Sequence, residues 1–285
     1  MSGSAREPIT KEGLLYHIHL KPGDVPRYVL LPGDPGRIPL ITKFWDESKL
    51  VAEHRGFVTY TGRYRGTAVA ATSTGIGGPS TAIVLEELLR AGADTFIRVG
   101  TSGALWNHIK LGDLVISSAA MRLDGVSKIY VDPEYPAAAS YDVLLALIEA
   151  AEVLGVRYHV GITASSDSFY VGQGRPGFRG YLPERWRGIE RKLKELNILN
   201  FEMEASTIFT LAGIYGVRAG AVCVAIANRA TDEFDPEVGL VDLVRVANEA
   251  VRILHEWDAL REAREKKYLS LKLVLEAARE SERRL

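Results

Sequence analysis

The chain has 285 residues, 47% hydrophobic and 25% charged, enough for one large α/β domain or two modest ones. Its 35 Lys and Arg offset 36 Asp and Glu, so no bulk positive field favours a nucleic-acid partner. The polar start "MSGSAREPITKEG" lacks the apolar core of a signal peptide, and no stretch is apolar enough for a bilayer span, so a cytoplasmic protein without a membrane partner is expected. Cys223, the one cysteine, lies in the apolar run "AGAVCVAIAN", which excludes an intrachain disulfide, and no Cys/His metal spacing occurs. One glutamine, Gln173, beside many Arg and Glu fits a thermophile's composition.

In chain order, "RYVLLPGD" (27–34) predicts a strand running into a turn, with a helix starting at "PGRIPLITKFW". "TAVAATSTG" predicts the next strand, followed by the helix "STAIVLEELLRAG", closed by Gly92 as C-cap. Strands follow at 94–100 and 112–120, a helix at 140–155, a strand at 157–165 and a helix at 183–196. "NILNFEME" leads into the helix "ASTIFTLAGIYG", and "VRAGAVCVAIAN" (217–228) reads as the last strand. Apolar residues at helical spacing resume after 236, and the tail alternates charges with a leucine stripe, as a docked or interface helix would. The alternation predicts one layered αβα domain with a mainly parallel sheet. Sites in such sheets lie in loops at the carboxyl ends of strands.

One such loop, "STGIGGPS", nearly spells a dinucleotide fingerprint. Ser80 occupies the third glycine position, however, and Asp94 stands at the wrong end of its strand for the ribose acid. No Lys-Ser/Thr follows the glycines either. A tight turn with free amides at a helix start remains, suited to an anion or a close subunit contact.

Other strand ends carry more chemistry. "LPGDPGR" places Gly33 in a turn and Arg37 on the helix after it, while "IRVGTSGA" places Arg98 inside an apolar strand and Thr101 and Ser102 past its end. A buried arginine needs an anion or a carboxylate. An internal salt bridge would serve one arginine alone; two arginines and two hydroxyls at neighbouring strand ends favour a bound oxyanion such as phosphate. In "FYVGQGRPG" an extended loop would point Gln173 and Arg175 the same way, suiting the edge of a heterocycle, or simply a solvated surface. Glu202 and Glu204 in "NFEMEAS" share a face at a strand end, where they could grip sugar hydroxyls with Met203 against the sugar, form a glycosidase pair, or cap a helix.

"PGDPGR", "HRGF", "STGIGGPS", "RVGTSGA", "TASSDSFYVGQGR" and "NFEMEAS" occur in that order from Leu31 to Arg229. Together they resemble the nucleoside phosphorylase superfamily, and within it the uridine phosphorylase branch. The resemblance implies a single three-layer αβα domain over 1–285 with a mixed, mainly parallel sheet, a core of about 14–257 and a helical extension over 258–285. It also implies a toroidal hexamer, a trimer of dimers, with active sites shared between subunits. It implies phosphate held by Gly33, Arg37, Arg98 and Thr101, plus Arg55 of a neighbouring subunit. Ribose would meet Met203 and Glu204, beside Ser102 and Glu202, with His17 (or His19, its near neighbour) reaching across from the partner. The base would meet Phe169, Gln173 and Arg175, with Ile226 and Ala227 as apolar walls. The implied reaction is phosphate-dependent cleavage of uridine, with phosphate as co-substrate and without cofactor, metal or covalent intermediate. The catalytic set would be Arg98, Glu204, Gln173 and Arg175. Bacterial relatives carry a glutamate after the His-Arg pair that helps hold a monovalent cation. Gly56 stands there in this chain, so the cation position beside Ile76 and Ser80 lacks that ligand. A purine nucleoside or methylthioadenosine phosphorylase is the rival on this fold, and a non-catalytic nucleoside-binding module the rival outside enzymology. The purine branch usually has an aspartate where "IANRATD" offers Asn228 and Arg229.

Overall fold

A computed structural model describes residues 5–282, so the ends of the expected 1–285 domain lie outside the described residues. The chain begins its regular structure with β1 (Tyr28–Pro32) and α1 (Ile38–Thr42), then β2 (Glu47–His54), β3 (Phe57–Tyr64) and β4 (Thr67–Thr72). After these come α2 (Gly78–Ala91), β5 (Thr95–Ala104), β6 (Leu114–Arg122), α3 (Val126–Tyr130), α4 (Tyr141–Leu154) and β7 (Tyr158–Ser165). The order closes with α5 (Ile189–Glu195), β8 (Ile198–Glu202), α6 (Ala205–Tyr215), β9 (Arg218–Asn228), β10 (Glu233–Phe234), α7 (Leu240–Ala263) and α8 (Leu271–Glu282).

The sheet is mixed, as the family resemblance implies, with helices on both faces. Strands β4, β1, β5 and β9 run parallel, and β6 to β8 run parallel to one another but antiparallel where β6 meets β9 and β8 meets β5. One face is sealed by Leu, Val and Ala of α4 and α7, the other by those of α2 and α6. Burial of these side chains supplies the main driving force for the fold. Gly92 does close α2, at φ 109°, a conformation only glycine adopts without strain.

Three features depart from the sequence pattern. The hairpin β2–β3 lacks an expectation because β2 presents mostly exposed residues and has no apolar face to read. Its turn is Arg55–Gly56, with φ of 53° and 83°, the positive values of a tight two-residue hairpin turn. The expected helix at 183–196 is broken by Gly188, at φ 67°, into a short 3-10 turn and α5. The expected extension boundary at 258 falls inside α7, where buried Asp258 accepts from Tyr28 and Arg218.

The element that matters most is β5. It pairs with β9 along its length, with β1 from Thr95 to Val99, and with β8 only at Gly103 and Ala104. Between Val99 and Gly103 one edge of β5 therefore changes neighbour. Strands diverging at such a point leave a crevice at their carboxyl ends. The strand ends of β1, β8 and β9 converge there too.

Candidate active site

A cleft of about 690 Å³ opens at that crevice. Thirteen expected residues line it: Gly33, Arg37, Arg98, Thr101, Ser102, Phe169, Gln173, Arg175, Glu202, Met203, Glu204, Ile226 and Ala227. Ile76 lines its mouth. His17 and Arg55 do not line it. They lie together on another surface, where Arg55 donates to the Tyr16 hydroxyl at 3.2 Å and His17 Nδ1 is 2.7 Å from the buried Glu87 carboxylate. His19 stacks on His54 with ring centres 3.4 Å apart. Ser80 donates to the Thr74 carbonyl inside the glycine loop, and Gly56 sits in the hairpin turn.

The floor is a charged knot. Arg98 is buried between two carboxylates: its Nε lies 2.7 Å from Glu202 Oε2, without the alignment of a hydrogen bond, and its Nη2 pairs with Glu204. Burial alone would disfavour the guanidinium charge, but the Glu204 and Glu202 carboxylates outweigh it and hold the proton more firmly than usual. Gly100 makes this possible, since a Cβ there would stand 2.8 Å from the Arg98 guanidinium carbon and 2.7 Å from Cys223 Sγ. Burial likewise pushes the Cys223 thiol up to about 12, leaving it an inert neutral neighbour.

The two glutamates play different structural parts. Glu202, at the end of β8, accepts the Glu204 and Ala205 N–H groups at 2.8 Å each, so it caps the start of α6. Glu204 accepts the Gly77 N–H at 2.6 Å. Burial pushes its carboxyl above the usual range, with Arg98 pulling the other way and Glu202 adding to the rise. The glycine loop thus meets the cleft through the Gly77 amide and the Ile76 side chain. Gly77, at φ 88°, turns its N–H toward a carboxylate rather than toward a cofactor phosphate.

Arg37 closes the adjoining side, donating to the Val99 carbonyl at 3.1 Å where β5 loses β1. Its proton is held less firmly than usual because of burial, with the Arg98 charge as second cause. At the opposite end Arg175 donates to Gln173 Oε1 at 2.6 Å and to the Phe169 carbonyl at 2.8 Å, and lies 4.1 Å over the Phe169 ring. Burial and the neighbouring Arg229 charge bring its pKa down to about 10. That arginine is the clearest omission from the sequence-derived set. It follows the last long strand directly, pairs with Glu190 of α5, and donates to the Gln173 carbonyl at 3.1 Å. The strand-end rule that pointed to Thr101 and Ser102 points equally to Arg229. Asp34, Asp232, Glu233 and Phe234 complete the wall. Asn228, by contrast, has its side chain tied into the loop, donating to the Trp106 and Ile109 carbonyls and accepting the Ala230 and Thr231 amides.

A cation between two carboxylates at one end, and an amide–guanidinium pair over an aromatic ring at the other, can hold an anion, a polyol and a flat heterocycle in one row. Residues 27–256 match the family described as the phosphorylase superfamily. The chain belongs to that superfamily. It is 59% identical over 259 residues to a protein of Thermococcus kodakarensis named uridine phosphorylase, covering 91% of this chain and 93% of that one. A uridine phosphorylase of Haemophilus influenzae is 41% identical over 78% of this chain and 90% of its own length. A guanosine phosphorylase of Halorubrum lacusprofundi is also 41% identical, over 74% of this chain and 83% of its own. Among the described residues no helix is long and apolar enough to cross a membrane.

Proposed function

We propose that the chain is a cytoplasmic pentosyltransferase that cleaves uridine reversibly with inorganic phosphate, giving uracil and ribose 1-phosphate. The observation that carries this reading is the joining of the Arg98–Glu202–Glu204 knot and the Gln173–Arg175 pair in one cleft. The relative of highest identity quoted above carries the corresponding name.

In this reading phosphate lies against Gly33, Arg37, Arg98 and Thr101, and Arg98 exchanges part of its carboxylate pairing for the phosphate oxygens. Glu204 accepts ribose hydroxyls and Met203 packs against the sugar, flanked by Ser102 and Glu202. The base stacks at Phe169, with Ile226 and Ala227 beside it. A phosphate oxygen attacks C1′ as the bond from C1′ to the base nitrogen breaks, and that electron pair leaves on uracil. Gln173 and Arg175, already oriented, donate to the negative charge that develops there, which is where preorganised donors act most strongly. Phosphate serves as co-substrate, and the reading assigns no cofactor.

His17 and Arg55 stand apart from the cleft of their own chain, which supports their serving a neighbouring subunit. We therefore assign a homo-oligomer with shared sites, a hexamer built as a trimer of dimers, over a single domain with a C-terminal extension.

Release of free base from uridine, thymidine, inosine and methylthioadenosine, each with and without phosphate, tests the reading. Uracil released only with phosphate is the expected result. Cleavage without phosphate would reject phosphorolysis, and cleavage of inosine alone would reject the pyrimidine assignment. The purine alternative draws on the Halorubrum relative's name. Against it stands Asn228, whose side chain is committed to its loop.

A further inference from the structure

The stretch "TASSDSF" leaves β7 at Ser165, and two of its serines, Ser165 and Ser166, bond Glu202 on the cleft floor. Ser165 Oγ donates to Glu202 Oε1 and accepts the Ser206 N–H at 2.9 Å. Accepting from a backbone amide leaves the hydroxyl proton free to point at the carboxylate. The Ser166 N–H donates to the Glu202 carbonyl at 3.1 Å, and Asp167 accepts the Gly125 N–H at 2.7 Å. Ser206 in turn donates its hydroxyl at 2.6 Å to Asp124, which also accepts from the Ser127 amide and hydroxyl. Ser165, Ser206 and Asp124 are fully buried, and none of the three lines the cleft.

Glu202 is the point on which this chain of bonds converges. Both amides from α6, and the Arg98 Nε, meet its Oε2. A carboxylate held at one oxygen can still rotate about that oxygen. A bond at Oε1 fixes its plane, and with it the direction in which Arg98 is drawn. Ser165 supplies that bond.

We infer that Ser165 is a positioning residue for the reaction proposed above: its hydroxyl locks the Glu202 carboxylate so that Arg98 stays aimed between Glu204 and the phosphate. Asp124 supports the lock indirectly, by holding Ser206 and so the first turn of α6, whose amide Ser165 accepts. The inference rests on the proposed phosphorolysis.

A double-mutant cycle separates this role from a structural one. Ser165→Ala, Glu202→Gln and the double variant are assayed for kcat/KM with uridine and for the KM of phosphate, with thermal melting in parallel. Removing a hydrogen bond to a buried charge is expected to lower kcat/KM about tenfold in the unmodified background. In the Glu202→Gln background the same change should alter it by less than about twofold, because the carboxylate charge that Ser165 orients toward Arg98 is already gone. Ser165→Cys, a weaker donor of similar size, should fall between, and it carries the cycle if the alanine variant does not fold. An equal loss from Ser165→Ala in both backgrounds would overturn the assignment. If the unmodified enzyme does not cleave uridine, the proposed substrate fails instead, and the cycle is read on the nucleoside that is cleaved.

Discussion

The two ends of the cleft are built by different means. At the Arg98 end the three charged groups of the knot ride on β5, the end of β8 and the start of α6, are buried, and already have partners: Arg98 with two carboxylates, Glu202 with two amides, Glu204 with Gly77. At the Arg175 end the groups ride on an irregular loop with one 3-10 turn, and Phe169 remains 49% exposed. The first end is rigid by construction and indifferent to which base is present. The second can change sequence without disturbing the core, so selectivity belongs there. Relatives of equal identity that carry pyrimidine and purine names fit that division.

The largest test of the contrast is Arg98→Met. It strands two buried carboxylates, so activity should vanish and stability should fall by about 3–5 kcal/mol, read by denaturant unfolding. A loss below about 1 kcal/mol would mean that the knot is not the rigid element described. At the other end Arg175→Ala should leave melting nearly unchanged and lower kcat/KM for uridine about a hundredfold, roughly 3 kcal/mol. The KM for phosphate should barely move. Equal losses in both would erase the distinction between the ends.

The sequence exposed the two ends unequally, for the same reason. Arg98 stood out because an arginine inside "DTFIRVG" has no comfortable burial without an anion, and Thr101 and Ser102 because the apolar run stops before them, although β5 continues through both to Ala104 in its pairing with β9. Most of the strands and helices in chain order followed from alternating patterns, and the mixed sheet from the family resemblance. What stayed hidden was pairing: the change of neighbour along β5, the division of Glu202 and Glu204 between helix capping and the cleft, and the contact of Gly77 with Glu204 all join residues far apart in the chain. The hairpin β2–β3 was invisible because an exposed strand has no apolar period. Arg229 was overlooked although it ends a strand as plainly as its neighbours, because its partner Glu190 lies on another element.

A smaller change sharpens the rigid end. Gly100→Ala places a methyl 2.8 Å from the Arg98 guanidinium carbon and 2.7 Å from Cys223 Sγ, on a strand held there by β9. Overpacking of this kind destabilises by about 1–3 kcal/mol. Because the displaced group is Arg98, kcat/KM should fall about tenfold with it. A melting change without an activity change would show that Arg98 tolerates displacement.

The smallest expected effect concerns pH and only one group at the rigid end. Burial raises the Glu204 pKa above its ordinary 4.5, so Glu204 takes up a proton while exposed carboxylates remain ionised. Uridine binding, measured without phosphate to keep that anion's own titration out, should weaken as pH falls through this raised value, about twofold at its midpoint. The folded state binds this proton more readily than the unfolded chain, so the contribution of Glu204 to stability has the opposite sign and grows as pH falls through the same window. Asp258, whose pKa is lowered to about 2 despite its burial, chiefly by its hydrogen bonds to Arg218 and Tyr28, acts only below its ordinary 3.8, where it removes stability. Affinity and stability should therefore move in opposite directions above 4.5, and Glu204→Gln should flatten both. Parallel decline of the two in the unmodified chain would mean that another acid, not the carboxylate held by Gly77 and Arg98, governs this end of the cleft.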